Sequence, residues 1–227
     1  MTVAVVPIKD LARAKQRLAN RLGPAERRTL VLCMLDDVLA ALSDVPGLSG
    51  IMVVTSDPEV SGRARARGAE VLEEAADGGY SAAVGRAART LDERGASAML
   101  SVPGDVPGVT SAEITELLAA SSPSPSIVLV PSRDGRGTNA ALVAHPLAID
   151  LRFGEPSFAA HVARAKDAGI ATRVLELPGF SLDLDTAADL DAFLAKPSTT
   201  ATHRFLVEGG RLRHRAEGAL SGTGSAE

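Results

Sequence analysis

The chain has no tryptophan, a single tyrosine and a single cysteine among its 227 residues. Each scarcity narrows what the protein can do. With few aromatic platforms for stacking bases, and a formal net charge of −4 that offers no basic field to a polyphosphate backbone, the composition argues against nucleic-acid binding. One cysteine cannot close an intramolecular disulfide or build a thiolate metal site; the setting of Cys33 in LVLCMLDDVL predicts a small core residue. No apolar run approaches the roughly 20 residues needed to cross a bilayer, so no membrane span is expected. The N-terminus opens on Val3-Ala4-Val5-Val6 without a basic segment or small-residue cleavage site, and the expected address is the cytoplasm. The four histidines, at 145, 161, 203 and 214, show neither HxxxH spacing nor a nucleophile triad. The glycines of a Walker or dinucleotide loop are missing after the first apolar run.

What remains is the composition of an ordinary globular chain, 45% hydrophobic and 23% charged, long enough for one α/β domain. Short apolar runs at Val3–Val6, Ile51–Thr55, Glu70–Leu72, Ala98–Val102 and Ile127–Val130 alternate with helical patterns at Pro24–Leu42, Glu59–Arg67, Ser81–Arg94 and Ser111–Ala120. That order predicts a mostly parallel sheet with helices on both faces. Pro24 suits a first helical turn, and Leu30, Met34, Val38 and Leu42 recur along one face. SPSPS at Ser122–Ser126 reads as a short turn-rich connector. After Val130 the pattern loosens, then a helix over Phe158–Ala168 and a strand over Arg173–Leu177 are expected. The catalytic domain is expected to span 1–196. An extension over 197–227 would follow, with a short hairpin around Glu208-Gly209-Gly210 and disorder at least over Gly218–Glu227.

Ligands of open parallel sheets gather beyond the C-terminal strand ends. After the first run, PIKDLARAKQRL offers Lys9, Lys15 and Arg17 to a phosphate group, or merely a solvated basic face. SVPGDVPGVT puts Asp105 on a tight turn. In GFSLDLDTAADLDAF, Asp183 and Asp185 alternate with leucines, so in an extended segment both carboxylates face one way and could grip a hard divalent cation. Alternatively Asp185 or Thr186 is a helix N-cap, with Asp189 completing a capping box, which leaves Asp183 unassigned. RDGRGTNAALV brings Thr138 and Asn139 after two glycines, and RFGEPSFAAH brings Gly154, Ser157 and His161 to a helix start. Those residues suit an anion site. They also read as a hairpin turn, a cap and a surface histidine facing Ala165.

VVPIKDLARAKQRLANRLGPAERRTL, VPGDVP, DGRGTNAALV, RFGEPSFAAHVARAKDAGI and LPGFSLDLDTAADL, in that order over roughly residues 3–195, resemble the phosphoenolpyruvate/2-phospho-L-lactate guanylyltransferase family of coenzyme F-420 biosynthesis. At GGYSAAV, Tyr80 and Ser81 stand where the family usually has a Gly-Leu-Asn-like stretch. The resemblance implies a glycosyltransferase-A-like α/β sandwich and transfer of a guanylyl group from GTP to a phosphorylated three-carbon acid, with release of pyrophosphate. Phosphoenolpyruvate is favoured on family grounds, with 2-phospho-L-lactate and 3-phospho-D-glycerate as the other acids. It implies magnesium held by Asp105, Asp183 and Asp185, acid contacts from Thr138, Gly154 and Ser157, and a catalytic set of Lys15, Arg17 and Asp105 in which Lys15 and Arg17 face the triphosphate. GTP and a small acid are the expected partners, and a homodimer is left open. The nucleophile is an already ionised phosphate, so no general base is needed. A sugar-phosphate or molybdenum-cofactor nucleotidyltransferase of similar fold is the nearest competitor, but would carry a Gly-rich loop where Pro7-Ile8-Lys9 stands. A catalytically silent nucleotide-binding homologue would have no need of three aspartates.

Overall fold

In the computed structural model, residues 1–9, 11, 14–73, 78–154 and 156–208 are described. Alternating elements build a seven-stranded sheet. The first half runs β1 (Thr2–Pro7), α1 (Pro24–Ser43), β2 (Leu48–Thr55), α2 (Pro58–Ala66), β3 (Glu70–Glu73), α3 (Gly79–Glu93) and β4 (Ala98–Ser101). Then come α4 (Ser111–Ala119), β5 (Ser126–Pro131), β6 (Thr138–Ala144), α5 (Ser157–Asp167), β7 (Ala171–Val174), α6 (Ala187–Leu194) and α7 (Ala201–Glu208). The strand order is β3-β2-β1-β4-β6-β5-β7. Only β6 runs against its neighbours, antiparallel to both β4 and β5; the other pairings are parallel. The mostly parallel sheet with helices on both faces is therefore the architecture the alternating pattern predicts.

Side chains alternate across a strand, so each strand feeds two cores. Ala4 and Val6 of β1 enter the larger one, with Leu30, Met34 and Val38 of α1 and residues of α2, α4, α6 and α7. Val3 and Val5 enter the other, with α3 and α5. In α1, Pro24 occupies the first turn, the Gly23 N–H donates to Glu26 Oε2 at 2.7 Å, and the expected stripe is fully buried. Cys33 is a correction: one position off that stripe it is only half-buried, on the side of Asp36 and Asp37. Burial first and those two carboxylates second raise its thiol pKa, so it stays protonated.

The strand β6 is absent from the sequence-based expectation. All seven of its residues are buried, and a strand covered on both faces shows no alternation to read. After Lys196, α7 packs on α1 through Leu206. Its first amides would otherwise lack acceptors. The Asp37 carboxylate of α1 accepts from Ala201 N at 2.7 Å and Thr202 N at 2.9 Å. Glu208 ends this helix rather than opening a hairpin, while Gly209, Gly210 and residues 218–227 lie outside the described residues. Among the described residues, no helix is long and apolar enough to cross a membrane.

Candidate active site

Beyond β1 and β4 the chain leaves the sheet, and the reversed β6 starts at the same edge. The result is a cleft of about 770 Å³ lined by Arg17, Asp105, Asp183, Asp185, Thr138, Gly154 and Ser157, so candidates scattered from position 17 to position 185 share one cavity. Asp105 sits on the turn after β4, where Gly104 packs closely: a Cβ there would lie 2.0 Å from Ile8 Cδ1 and force that side chain to shift. The backbone carbonyl of Asp105 accepts from Leu184 N at 3.0 Å, fastening the 183–185 segment to that turn. Asn139 of β6 ties the same segment from the other side, donating from Nδ2 to Phe180 O at 2.7 Å and to Asp183 Oδ1 at 3.3 Å.

The helix-cap role falls to Thr186 rather than to Asp185. Thr186 is the N-cap of α6 and forms a capping box with Asp189: Thr186 N donates to Asp189 Oδ2 at 2.8 Å and Asp189 N to Thr186 Oγ1 at 3.3 Å. The Asp185 carboxylate is thereby left to meet Lys15, whose Nζ lies 2.5 Å from Asp185 Oδ1 and 2.6 Å from Asp105 Oδ2. Instead of projecting into the open cleft, the Lys15 ammonium spans two carboxylates. Its backbone is left-handed, with φ at 51°, a conformation costing a non-glycine residue of the order of 1 kcal/mol. Burial alone would drive this side chain towards neutrality, but Asp105 and Asp185 outweigh it and hold its pKa above the ordinary lysine value. Asp183 shows the opposite balance. Burial and then the Asp105 carboxylate raise its pKa, opposed by its own backbone N–H and by Asn139. Among the described residues no three carboxylate, imidazole or thiol groups form a ready cage for a metal ion.

The opposite wall is centred on uncharged hydroxyl groups, with Arg133 and Asp134 at its rim. Thr138 and Ser157 are buried, with Ser157 Oγ donating to Thr138 Oγ1 at 3.3 Å. The expected GRG turn is there: Gly135 has φ of 70°, Gly137 N donates to Ser132 Oγ at 2.7 Å, and Arg136 O accepts from Phe158 N, locking the turn to the first residues of α5. Ser157 is the first residue of α5 rather than its cap, which falls on Pro156. Gly154 adopts φ of 117°, a region that disfavours any Cβ. His161 is a correction, since it lies fully buried behind Thr138 rather than on the surface. Burial first, then Arg164, pushes its pKa down to about 4, so the ring is neutral. Phe153 packs edge-on to His161 at 5.3 Å and to Tyr80 at 4.7 Å. Ser81 Oγ holds the Phe153 backbone, accepting from its N–H at 2.9 Å. The roles of Asn139, Phe153 and His161 escaped the sequence reading, although the four-residue spacing of Ser157 and His161 on one helix face was a usable signal.

Residues 2–214 match the guanylyl transferase CofC-like family. The chain belongs to that family. Among relatives of this CofC-like chain, a phosphoenolpyruvate guanylyltransferase of Sphaerobacter thermophilus is 44% identical over 84% of this chain and 91% of its own. A 2-phospho-L-lactate guanylyltransferase of Methanothermobacter thermautotrophicus is 31% identical over 90% of this chain and 89% of its own. The fold is shared with a solved nucleotide-diphospho-sugar transferase of Desulfovibrio desulfuricans, so described in the name of its structure with a "putative", at a TM-score of 0.75 and 15% identity, covering 93% of this chain and 96% of that one. The CofC-like match runs past Lys196 and takes in α7.

Proposed function

We propose that the protein joins GTP to phosphoenolpyruvate in the cytoplasm, releasing pyrophosphate, as a step of coenzyme F-420 biosynthesis. The observation that carries this reading is the two-walled cleft, with three aspartates and basic side chains on one wall and neutral donors on the other. A phosphate oxygen of the acid attacks the α-phosphorus of GTP. The bond from that phosphorus to the oxygen bridging the α- and β-phosphates breaks, and its electron pair leaves with pyrophosphate. The attacking phosphate is already ionised near neutral pH, so the site needs orientation and charge neutralisation rather than a base.

On this reading Thr138, Ser157 and the backbone at Gly154 hold the acid, Arg17 faces the triphosphate from the cleft lining, and Lys15 acts on it from behind Asp105 and Asp185. Carboxylate oxygens are the donors that a hard cation takes, and the half-buried Asp183, whose pKa is raised by burial and then by Asp105, would be relieved by one. Asp105, Asp183 and Asp185 would therefore hold magnesium, which supplies charge stabilisation at the phosphates. The 197–227 extension is assigned a supporting part through α7, outside the cleft.

The test is incubation of purified protein with GTP, magnesium and each of phosphoenolpyruvate, 2-phospho-L-lactate and 3-phospho-D-glycerate, following pyrophosphate and identifying the product by mass. Fastest turnover with phosphoenolpyruvate is expected. A folded protein silent with all three acids would remove the reading.

A further inference from the structure

His161 touches neither the open cleft nor the aspartates, yet both of its ring nitrogens are engaged. Its Nε2 lies 2.9 Å from the backbone N of Arg152, and its Nδ1 lies 3.0 Å from Thr138 Oγ1. A backbone N–H can only donate, so Nε2 must present its lone pair there. A neutral imidazole carries one proton, which is therefore on Nδ1 and is donated to Thr138 Oγ1. The ring is also held in place: it is fully buried, with Phe153 packed edge-on against it and Ser81 fixing the Phe153 backbone.

Thr138 Oγ1 then receives two donors, the His161 Nδ1–H and the Ser157 hydroxyl. With both lone pairs used, its own O–H has one role left, donation, and Thr138 lines the cleft. We infer that His161 is a positioning residue of the acid site, which through Nδ1 fixes the Thr138 hydroxyl as a donor toward an anionic oxygen in the cleft. The inference rests on the reading that Thr138 and Ser157 hold the phosphorylated acid. It adds a criterion of selectivity, because a site polarised in this way welcomes phosphate or carboxylate oxygens and repels a ligand that presents a hydroxyl proton at the same point.

The experiment is steady-state kinetics with GTP, magnesium and phosphoenolpyruvate on Thr138→Val, His161→Phe, His161→Asn and the Thr138→Val/His161→Phe double variant. Loss of one hydrogen bond to a charged group predicts about a tenfold or greater rise in KM for the acid in Thr138→Val, with KM for GTP within about twofold. His161→Phe keeps the ring and its packing but loses the Nδ1 donor, and should reproduce that rise. The double variant should be no worse than either single one, since both remove the same contact. His161→Asn places an amide N–H near the Nδ1 position and should recover most of the loss.

A normal KM in folded His161→Phe, or effects that multiply in the double variant, overturns the inference while leaving the acid site standing. A normal KM in Thr138→Val overturns the acid site itself. Should His161→Phe fail to fold, His161→Gln decides instead: its amide nitrogen falls near the Nε2 position, so the Nδ1 donor is lost. An acid KM like that of Thr138→Val is expected, and an unchanged one overturns the inference.

Discussion

On one wall of the cleft, Asp105 and Asp185 share the buried Lys15 ammonium, with Asp183 beside them; on the other, Thr138 and Ser157, backed by a neutral His161, carry no formal charge. The charged wall is assembled from separate loops whose backbones are tied together, and its carboxylates are left with more negative charge than Lys15 balances. Such a wall calls for additional positive charge and is tuned by it. The neutral wall is assembled from one strand start and one helix start, and its hydrogen bonds are nearly complete before any ligand arrives. It gives direction rather than charge. Residues 138 and 139 join the two. As successive residues of β6 they point to opposite faces, Thr138 to His161 and Asn139 to Asp183.

The sharpest way to break this contrast is Asp183→Asn. If the charged wall holds a metal, turnover should fall by about a thousandfold, reflecting the several kcal/mol of charge stabilisation a metal supplies. Circular dichroism and Tm should stay near those of the unaltered protein. Activity within a few-fold would end the metal role of that residue.

Lys15→Met comes next. Removing the ammonium leaves Asp105 and Asp185 facing each other, a loss of about 1–3 kcal/mol once the partial exposure of both carboxylates is allowed for. Calorimetry should record a lower Tm, and magnesium chloride should raise Tm more in the variant than in the parent. An equal response to magnesium in both would show that the ammonium and the cation do not share the carboxylates.

For the neutral wall the lever is pH. His161 has a folded pKa of about 4 against an ordinary 6.5, so between those values the unfolded chain binds the extra proton. Stability linked to this residue is complete above about pH 6.5, falls as pH is lowered through that window and levels off near pH 4. The groups around the ring are Arg164 on its own helix, which reinforces the effect, and Asp150 with the Arg152 amide, which oppose it. Tm measured across this range should slope less in His161→Phe than in the parent; parallel profiles would refute the neutral-ring account. The smallest effect belongs to a residue on neither wall. Arg94→Ala removes an exposed pair with Glu70 and should change stability by less than about 1 kcal/mol, without touching either KM.

The charged wall was far more legible in the sequence than the neutral one, for physical reasons. Asp105 follows an apolar run on a Pro-Gly turn, and Asp183 and Asp185 alternate with leucines in the irregular segment before α6; both are local patterns. Nothing local marks the Lys15 contacts, since Asp105 is 90 positions away and Asp185 is 170. The neutral wall depended on β6, whose alanine-rich, doubly covered stretch shows neither strand period nor strong β propensity. Without that strand, Thr138 could not be placed over His161, and an isolated histidine read as surface. In the same way α7 was hidden, because the acid that caps it lies on α1, over 160 residues earlier.

The reversal of β6 also bears on how such a site can change over generations. Its seven buried residues pin the strand's register between β4 and β5, whereas the preceding turn over residues 132–137 is largely solvent-facing. Side chains at its exposed positions 133, 134 and 136 can be exchanged without moving Thr138 or Asn139. The rim of the cleft can thus drift toward new acids while its interior stays in register, giving one scaffold room for several substrates.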